Sequence, residues 1–143
     1  MGLDTSHDCW HGSYAAFLRW RHTLAEAAGY KIREPTPEER DAGVYSPSVD
    51  IHWEVFEPEN YQGEWSFVPG DDPLLFLIVH SDCDGVIHPE QGIHIARRLE
   101  QLLPFLDGTE EIGHIRPHMR GKTQQFIDGL KAAAAAGEDV DFH

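Results

Sequence analysis

The chain has 143 residues, 41% of them hydrophobic, which suits a single domain over residues 1–143 that buries a core. It carries 25 acidic and 11 basic residues, a formal net charge of −14. That charge repels nucleic acids and anionic membranes and attracts cations, so we expect neither nucleic acid nor a membrane as partner. The first residues lack the basic and apolar regions of a signal peptide, and we expect a reduced, cytoplasmic protein.

Residues 2–12 form the first dense polar cluster, which we interpret as a short strand or an irregular segment. Asp4, His7, Cys9 and His11 have spacings compatible with metal ligation, although a partner from elsewhere would have to complete the site. Trp10 could provide an aromatic wall for a ligand. The alternative is that Cys9 and Trp10 belong to the core and that the histidines lie on the surface.

A helix is predicted over residues 13–28, because Ser13 is a good N-cap, apolar residues recur at helical spacing and Gly29 follows. Thr36, Pro37 and two glutamates predict a short, capped helical turn. Apolar and polar residues then alternate over residues 49–56, which predicts a half-buried strand.

The six apolar residues from Leu74 to Val79 predict a central strand, buried on both faces, over about residues 74–80. Two further helices are predicted over about residues 89–105 and 118–136, from a proline start, apolar stripes and an alanine run. The expected fold class is therefore α+β: a small mixed sheet with a central buried strand packed by three helices.

The second polar cluster, HSDCDG at residues 80–85, follows this predicted strand, where open sheets commonly bind ligands. On a strand end, His80, Asp82 and Asp84 would share one face and could hold a divalent metal. Carboxylates favour Mg²⁺ or Mn²⁺, whereas histidine and Cys83 move the preference towards Zn²⁺. The alternative is a turn whose aspartates cap the next helix.

The candidate residues fall into two overlapping sets. The predicted ligand-binding residues are Asp4, His7, Trp10, His80, Ser81, Asp82 and Asp84. The predicted metal ligands are His7, Cys9, His11, His80, Asp82, Cys83 and Asp84.

Two resemblances bear on function. An apolar run leading into Asp82-Cys83-Asp84-Gly85 is similar to the nucleophile motif of haloacid dehalogenase-like phosphatases, which would make Asp82 the nucleophile, Asp84 the acid/base and Mg²⁺ the cofactor. The downstream strands of that family are not predicted here. GLDTSHDCWHG, HSDCDG and FIDGLKAAAAAGEDVDFH resemble a family of small uncharacterised proteins from bacteria and bacteriophages. That resemblance implies a phage-related setting, in which a protein inhibits a host factor or sequesters a host small molecule.

Three functional hypotheses follow. The first is a non-catalytic protein that binds a small ligand or a metal between the two polar clusters. The second is a divalent-metal-dependent hydrolase, similar to phosphoesterases, that uses the HSDCDG loop. The third is an acidic adaptor that binds a basic protein.

Overall fold

The structure is a computed structural model, and it describes residues 2–45, 47–49, 72–80, 84–106 and 119–143. These residues mix helices with short strands, so the α+β class is confirmed at that level. The helices are α1 (Tyr14–Ala27), α2 (Pro37–Asp41), α3 (Leu74–Val79), α4 (Pro89–Leu102) and α5 (Met119–Ala136). The strands are β1 (Gly2–Asp4), β2 (His11–Ser13), β3 (Ile32–Arg33), β4 (Ser48–Val49), β5 (Val86–Ile87) and β6 (Val140–Asp141).

The three predicted long helices are present as α1, α4 and α5. Helix α1 begins where the sequence indicates, because the Ser13 hydroxyl accepts a hydrogen bond from the Ala16 amide at 3.1 Å. The short helix α2 has a full capping box, in which Thr36 and Glu39 each accept the other's backbone N–H. Helix α4 ends at Leu102, and a 3-10 turn over Leu103–Phe105 continues it past the proline.

The structure corrects the prediction of a central strand over residues 74–80, because Leu74–Val79 form helix α3. The first four residues of the run, 74–77, are buried and Ile78 is partly buried, but a run of six apolar residues suits a buried helix as well as a strand. Both ends of the helix are capped from outside the run. The Asp72 carboxylate accepts the Leu74 N–H at 2.9 Å, and the Arg21 guanidinium donates to the carbonyls of Ile78 and His80 at 3.0 and 2.6 Å.

The strands form three antiparallel pairs, β1–β2, β3–β4 and β5–β6. In the first, Asp4 is opposite His11, and in the third, Val86 is opposite Asp141. The predicted strand over residues 49–56 is represented by β4 alone, because the rest of it lies outside the described residues.

The C-terminal tail, residues 138–143, joins the N-terminal hairpin to the segment that follows HSDCDG. On one side the backbones of Asp4 and His143 exchange two hydrogen bonds of 3.0 and 2.9 Å. On the other side, the Phe142 amide donates to the Gly85 carbonyl at 2.9 Å. The tail is therefore docked between the two sequence clusters.

The core beneath the tail is aromatic. Rings of Trp10, Phe17, Trp20 and Phe126 follow one another at centroid distances of 5.1, 5.7 and 4.8 Å, and Phe142 lies 6.1 Å from Phe17. Such ring pairs add about 0.5–1.5 kcal/mol each beyond the area they bury. Helix α4 packs on α5 to close the core. No helix in the described part of the chain is long and apolar enough to cross a membrane.

Candidate functional site

The N-terminal hairpin ends in a tight turn that presents His7 and Asp8. Thr5 and Trp10 close the turn, because Thr5 N donates to the Trp10 carbonyl at 3.1 Å and Trp10 N donates to the Thr5 hydroxyl at 2.9 Å. His7 and Asp8 have φ values of 59° and 56°, in the left-handed region that non-glycine residues seldom adopt. This strain costs about 1–3 kcal/mol per residue, so the contacts around the turn must hold it in place.

Helix α5 supplies those contacts. The Gln125 side chain donates to the Asp8 carbonyl at 2.8 Å, and Lys122 Nζ donates to the His11 carbonyl at 3.3 Å. The turn also lies directly on Gly129, where a Cβ would be 2.8 Å from the His7 carbonyl oxygen. The absence of a side chain at 129 is thus what lets the turn reach the helix.

His11 lies between two carboxylates at the exposed edge of the hairpin. Its Nδ1 is 2.7 Å from Asp4 Oδ1, and its Nε2 is 2.9 Å from Asp8 Oδ1. Because a carboxylate only accepts hydrogen bonds, the ring can bond both carboxylates at once only in the imidazolium form, with a proton on each nitrogen. The hydrogen bonds to Asp4 and then Asp8 accordingly raise the pKa of His11 above its ordinary 6.5.

His7 belongs to a second chain of hydrogen bonds, which reaches the tail. Its Nδ1 is 3.0 Å from Ser6 Oγ, and its Nε2 is 3.1 Å from Glu138 Oε1. Ser6 Oγ also accepts the backbone N–H of Asp141 at 2.8 Å. The order along this chain is hydroxyl, imidazole, carboxylate.

A third histidine pairs with the tail from the other side, since His88 Nδ1 lies 2.9 Å from Asp139 Oδ1. The tail therefore has a histidine–carboxylate pair at each flank. We call the polar side chains of this region the tail face: Asp4, Ser6, His7, Asp8, His11, His88, Glu138, Asp139 and Asp141.

Cys9 and Trp10 belong to the core, the alternative left open by the sequence. Neither is more than 1% exposed, and burial raises the pKa of the Cys9 thiol to about 12. A thiol in that state is a poor metal ligand, because metals bind the thiolate. Trp10 packs against Phe17 and Trp20 instead of forming a wall that a ligand could touch.

The HSDCDG loop is described at His80, Asp84 and Gly85, whereas Ser81, Asp82 and Cys83 lie outside the described residues. His80 is buried, and its Nε2 donates to the Val86 carbonyl at 3.0 Å. Its ring lies 4.2 Å from the ring of Phe142. Asp84 is exposed.

The two sequence clusters are thus joined through the tail. Within the described ranges, no group of three or more His, Cys, Asp or Glu side chains is arranged to hold a metal ion. With the His11 ring in place, Asp4 and Asp8 each bond a different nitrogen of it.

The sequence leaves open whether the tail is exposed or docked by Phe142, and no tail residue is among the predicted site residues. The signal was present, because Val140 and Phe142 alternate with Asp139 and Asp141 at the period of a half-buried strand. No known family, curated protein or solved structure matches the chain.

Proposed function

We propose that the protein is a binding protein for a small cationic ligand, either a metal ion or an organic amine, and that the tail face is its binding surface. The observation that carries this proposal is the position of the His11 imidazolium between Asp4 and Asp8. The protonated His11 ring already donates hydrogen bonds to these two carboxylates. A ligand cation that displaces the ring would meet the same carboxylate oxygens.

Exposure and charge support this role. The side chains of Asp4 and Asp8 are 61% and 89% exposed, so a ligand reaches them without opening the core. The net charge of −14 raises the local concentration of cations around the molecule. Amines and divalent ions share the property that matters here, which is positive charge matched to carboxylate oxygens.

The hydrolase hypothesis draws less support from the described residues. His80 uses Nε2 for an internal bond to Val86 and packs on Phe142, so its ring is part of the fold. Asp82 and Cys83, the other central residues of that hypothesis, lie outside the described residues. The adaptor hypothesis rests on net charge, and the cytoplasmic setting and the phage-related role remain proposals from the sequence.

The test is a calorimetric titration of tag-free protein with Zn²⁺, Mn²⁺ and the diamine putrescine in separate experiments. We expect at least one of these cations to bind, and we expect Asp4→Asn together with Asp8→Asn to weaken that binding at least about tenfold, the loss of about 1.4 kcal/mol. The matched control replaces Asp41 and Asp128, two exposed carboxylates on α2 and α5, by asparagine.

Both double variants change the net charge equally, so long-range attraction falls equally in both. If the two variants weaken binding to the same extent, the carboxylates beside His11 are not the site. Absence of binding by all three cations at millimolar concentration would also reject the proposal.

A further inference from the structure

The chain of hydrogen bonds from Ser6 through His7 to Glu138 has the composition and order of a nucleophile relay. The distances of 3.0 Å from Ser6 Oγ to His7 Nδ1 and 3.1 Å from His7 Nε2 to Glu138 Oε1 are both within hydrogen-bond reach. We propose that Ser6 is a reactive serine that accepts an acyl group from a carboxylic ester, with His7 as general base and Glu138 as the positioning residue. This goes beyond the proposed binding role, which is carried by the Asp4 and Asp8 carboxylates on either side of His11.

The protons can be placed from the acceptors alone. The Glu138 carboxylate accepts, so His7 Nε2 carries a proton and donates it. In a neutral ring Nδ1 is then an acceptor, and Ser6 O–H must be its donor. This is the protonation pattern in which a serine is ready to lose its proton to imidazole, with the two ring nitrogens exchanged relative to the commonest triads.

The Ser6 oxygen remains able to attack. One of its lone pairs accepts the Asp141 N–H at 2.8 Å, and its proton points to His7, which leaves the second lone pair for a carbonyl carbon. The same N–H stabilises the negative charge that grows on Oγ as the proton leaves, since it is a backbone dipole already in place.

The three side chains sit on backbone that is fixed at several points. His7 holds a left-handed φ of 59°, and Gln125 and the Thr5–Trp10 bonds secure its turn. Glu138 follows the end of α5, where its amide donates to the Ala133 carbonyl at 2.9 Å. Ser6 and His7 are both partly buried, with the His7 side chain 21% exposed, and the Glu138 side chain is 62% exposed.

In the proposed step, the Ser6 O–H proton passes to His7 Nδ1 while Oγ forms a bond to the ester carbonyl carbon. The tetrahedral adduct collapses by breaking the carbon–oxygen bond to the alcohol group, which takes the proton back from His7 Nδ1. The products are acyl-Ser6 and a free alcohol, and the neutral imidazole is restored.

The experiment uses the full tag-free chain with p-nitrophenyl acetate as acyl donor, followed by peptide mass spectrometry. We expect one equivalent of p-nitrophenolate and an acetyl group on Ser6. Ser6→Ala should abolish that label, and His7→Asn, which tolerates the left-handed φ, should slow acylation by about 100-fold or more. Ser13→Ala is the matched control, because that hydroxyl caps α1 and has no histidine partner among the described residues.

Glu138→Gln tests positioning. We expect acylation to slow about tenfold or more and its dependence on pH to move, which loss of structure alone would not cause. Glu138→Asp should restore part of the rate. Circular dichroism and thermal unfolding show whether each variant is folded, and Ser6→Cys in place of Ser6→Ala keeps a nucleophile if alanine disturbs the tail.

The proposal is overturned if the acetyl group is found mainly on lysine, histidine or Ser13, or if folded protein is not acylated. It is equally overturned if Glu138→Gln leaves both the rate and the pH dependence unchanged. The Asp41→Asn and Asp128→Asn variant, which lies outside the tail face, should be acylated at the normal rate. Failure of the two proposals is distinguishable, because cation binding is read from the heat of titration and acylation from the label on Ser6.

Discussion

His80 and His11 both stand in short stretches rich in histidine and aspartate, yet the fold gives them opposite environments. His80 is 6% exposed, its ring packs against the ring of Phe142, and its Nε2 donates a hydrogen bond to the Val86 carbonyl. The His11 side chain is 52% exposed and has a carboxylate at each nitrogen. Two stretches of similar composition thus place His80 in the core and His11 in a charged cluster on the surface.

The difference comes from what each segment packs against. His80 follows a helix whose first four residues are buried, and the Arg21 guanidinium donates to the His80 carbonyl at 2.6 Å. The N-terminal turn packs on Gly129 of α5 through the His7 carbonyl and Cys9, whereas the side chains of Asp4, Asp8 and His11 stay exposed. The exposed carboxylates and imidazole of this turn therefore form a candidate surface, and the buried His80 ring does not.

Phe142→Ala should have the largest effect, because this ring joins the two regions. The side chain is 2% exposed, contacts the His80 ring and belongs to a backbone that pairs with Thr5. We expect a loss of about 3–5 kcal/mol in the free energy of unfolding, the usual range for a buried phenylalanine. Urea unfolding followed by tryptophan fluorescence measures it.

Phe105→Ala is the control, because that ring is 73% exposed and its removal should cost less than about 0.5 kcal/mol. Equal losses in the two variants would mean that the tail is not docked through Phe142 as described.

The sequence predicts the long helices well, because their boundaries have local signals: Ser13 caps α1, Pro89 begins α4 and Gly137 follows α5. It fails at residues 74–79, where Asp72 and Arg21, distant in sequence from each other, cap the ends of a helix. It does not decide how the tail is placed, because docking of the tail depends on Thr5 and Gly85, which are both distant from it in sequence. Local signals predict local elements, and the site arises from long-range pairing.

Gly129→Ala should act on the N-terminal turn and leave His80 in place. A Cβ there would collide with Cys9 Sγ and lie 2.8 Å from the His7 carbonyl oxygen, both parts of a turn with little room to move. Alanine gains up to about 1 kcal/mol in helix propensity, but overpacking costs about 1–3 kcal/mol, so we expect a net loss of about 1–2 kcal/mol.

A second readout follows the Cys9 thiol in a Cys83→Ser background. Burial holds the pKa of Cys9 at about 12, so it should resist a thiol reagent at pH 8 in the parent protein and react faster in Gly129→Ala. Gly92→Ala is the matched control on α4, where the new Cβ would make an ordinary contact of 3.5 Å with Leu130. A more stable Gly129→Ala with an unreactive thiol would contradict the packing of the turn on α5.

The smallest effect on stability is expected from the exposed ion pairs of His11 with Asp4 and Asp8, which depend on the titration of His11. Folding raises its pKa above 6.5, so its ion pairs contribute stability that is fully present below that value and is lost as the pH rises through the higher folded-state pKa. Because the hydrogen bond to Asp4 is the largest cause, Asp4→Asn should lower the pKa more than Asp8→Asn does. NMR titration of the imidazole resonances measures both shifts.

His22 provides a reference in the same spectra, because burial, and then the adjacent Arg21, lower its pKa. Asp128→Asn removes an equal charge from the α5 surface, where the carboxylate bonds Gln124, and should move neither histidine appreciably. If His11 titrated below His22, or if Asp4→Asn and Asp128→Asn shifted it equally, the ring would not be held between two carboxylates. His11 would then not be the charged counterpart of the buried His80. The cation-binding proposal would lose the observation on which it rests, the position of His11 between Asp4 and Asp8.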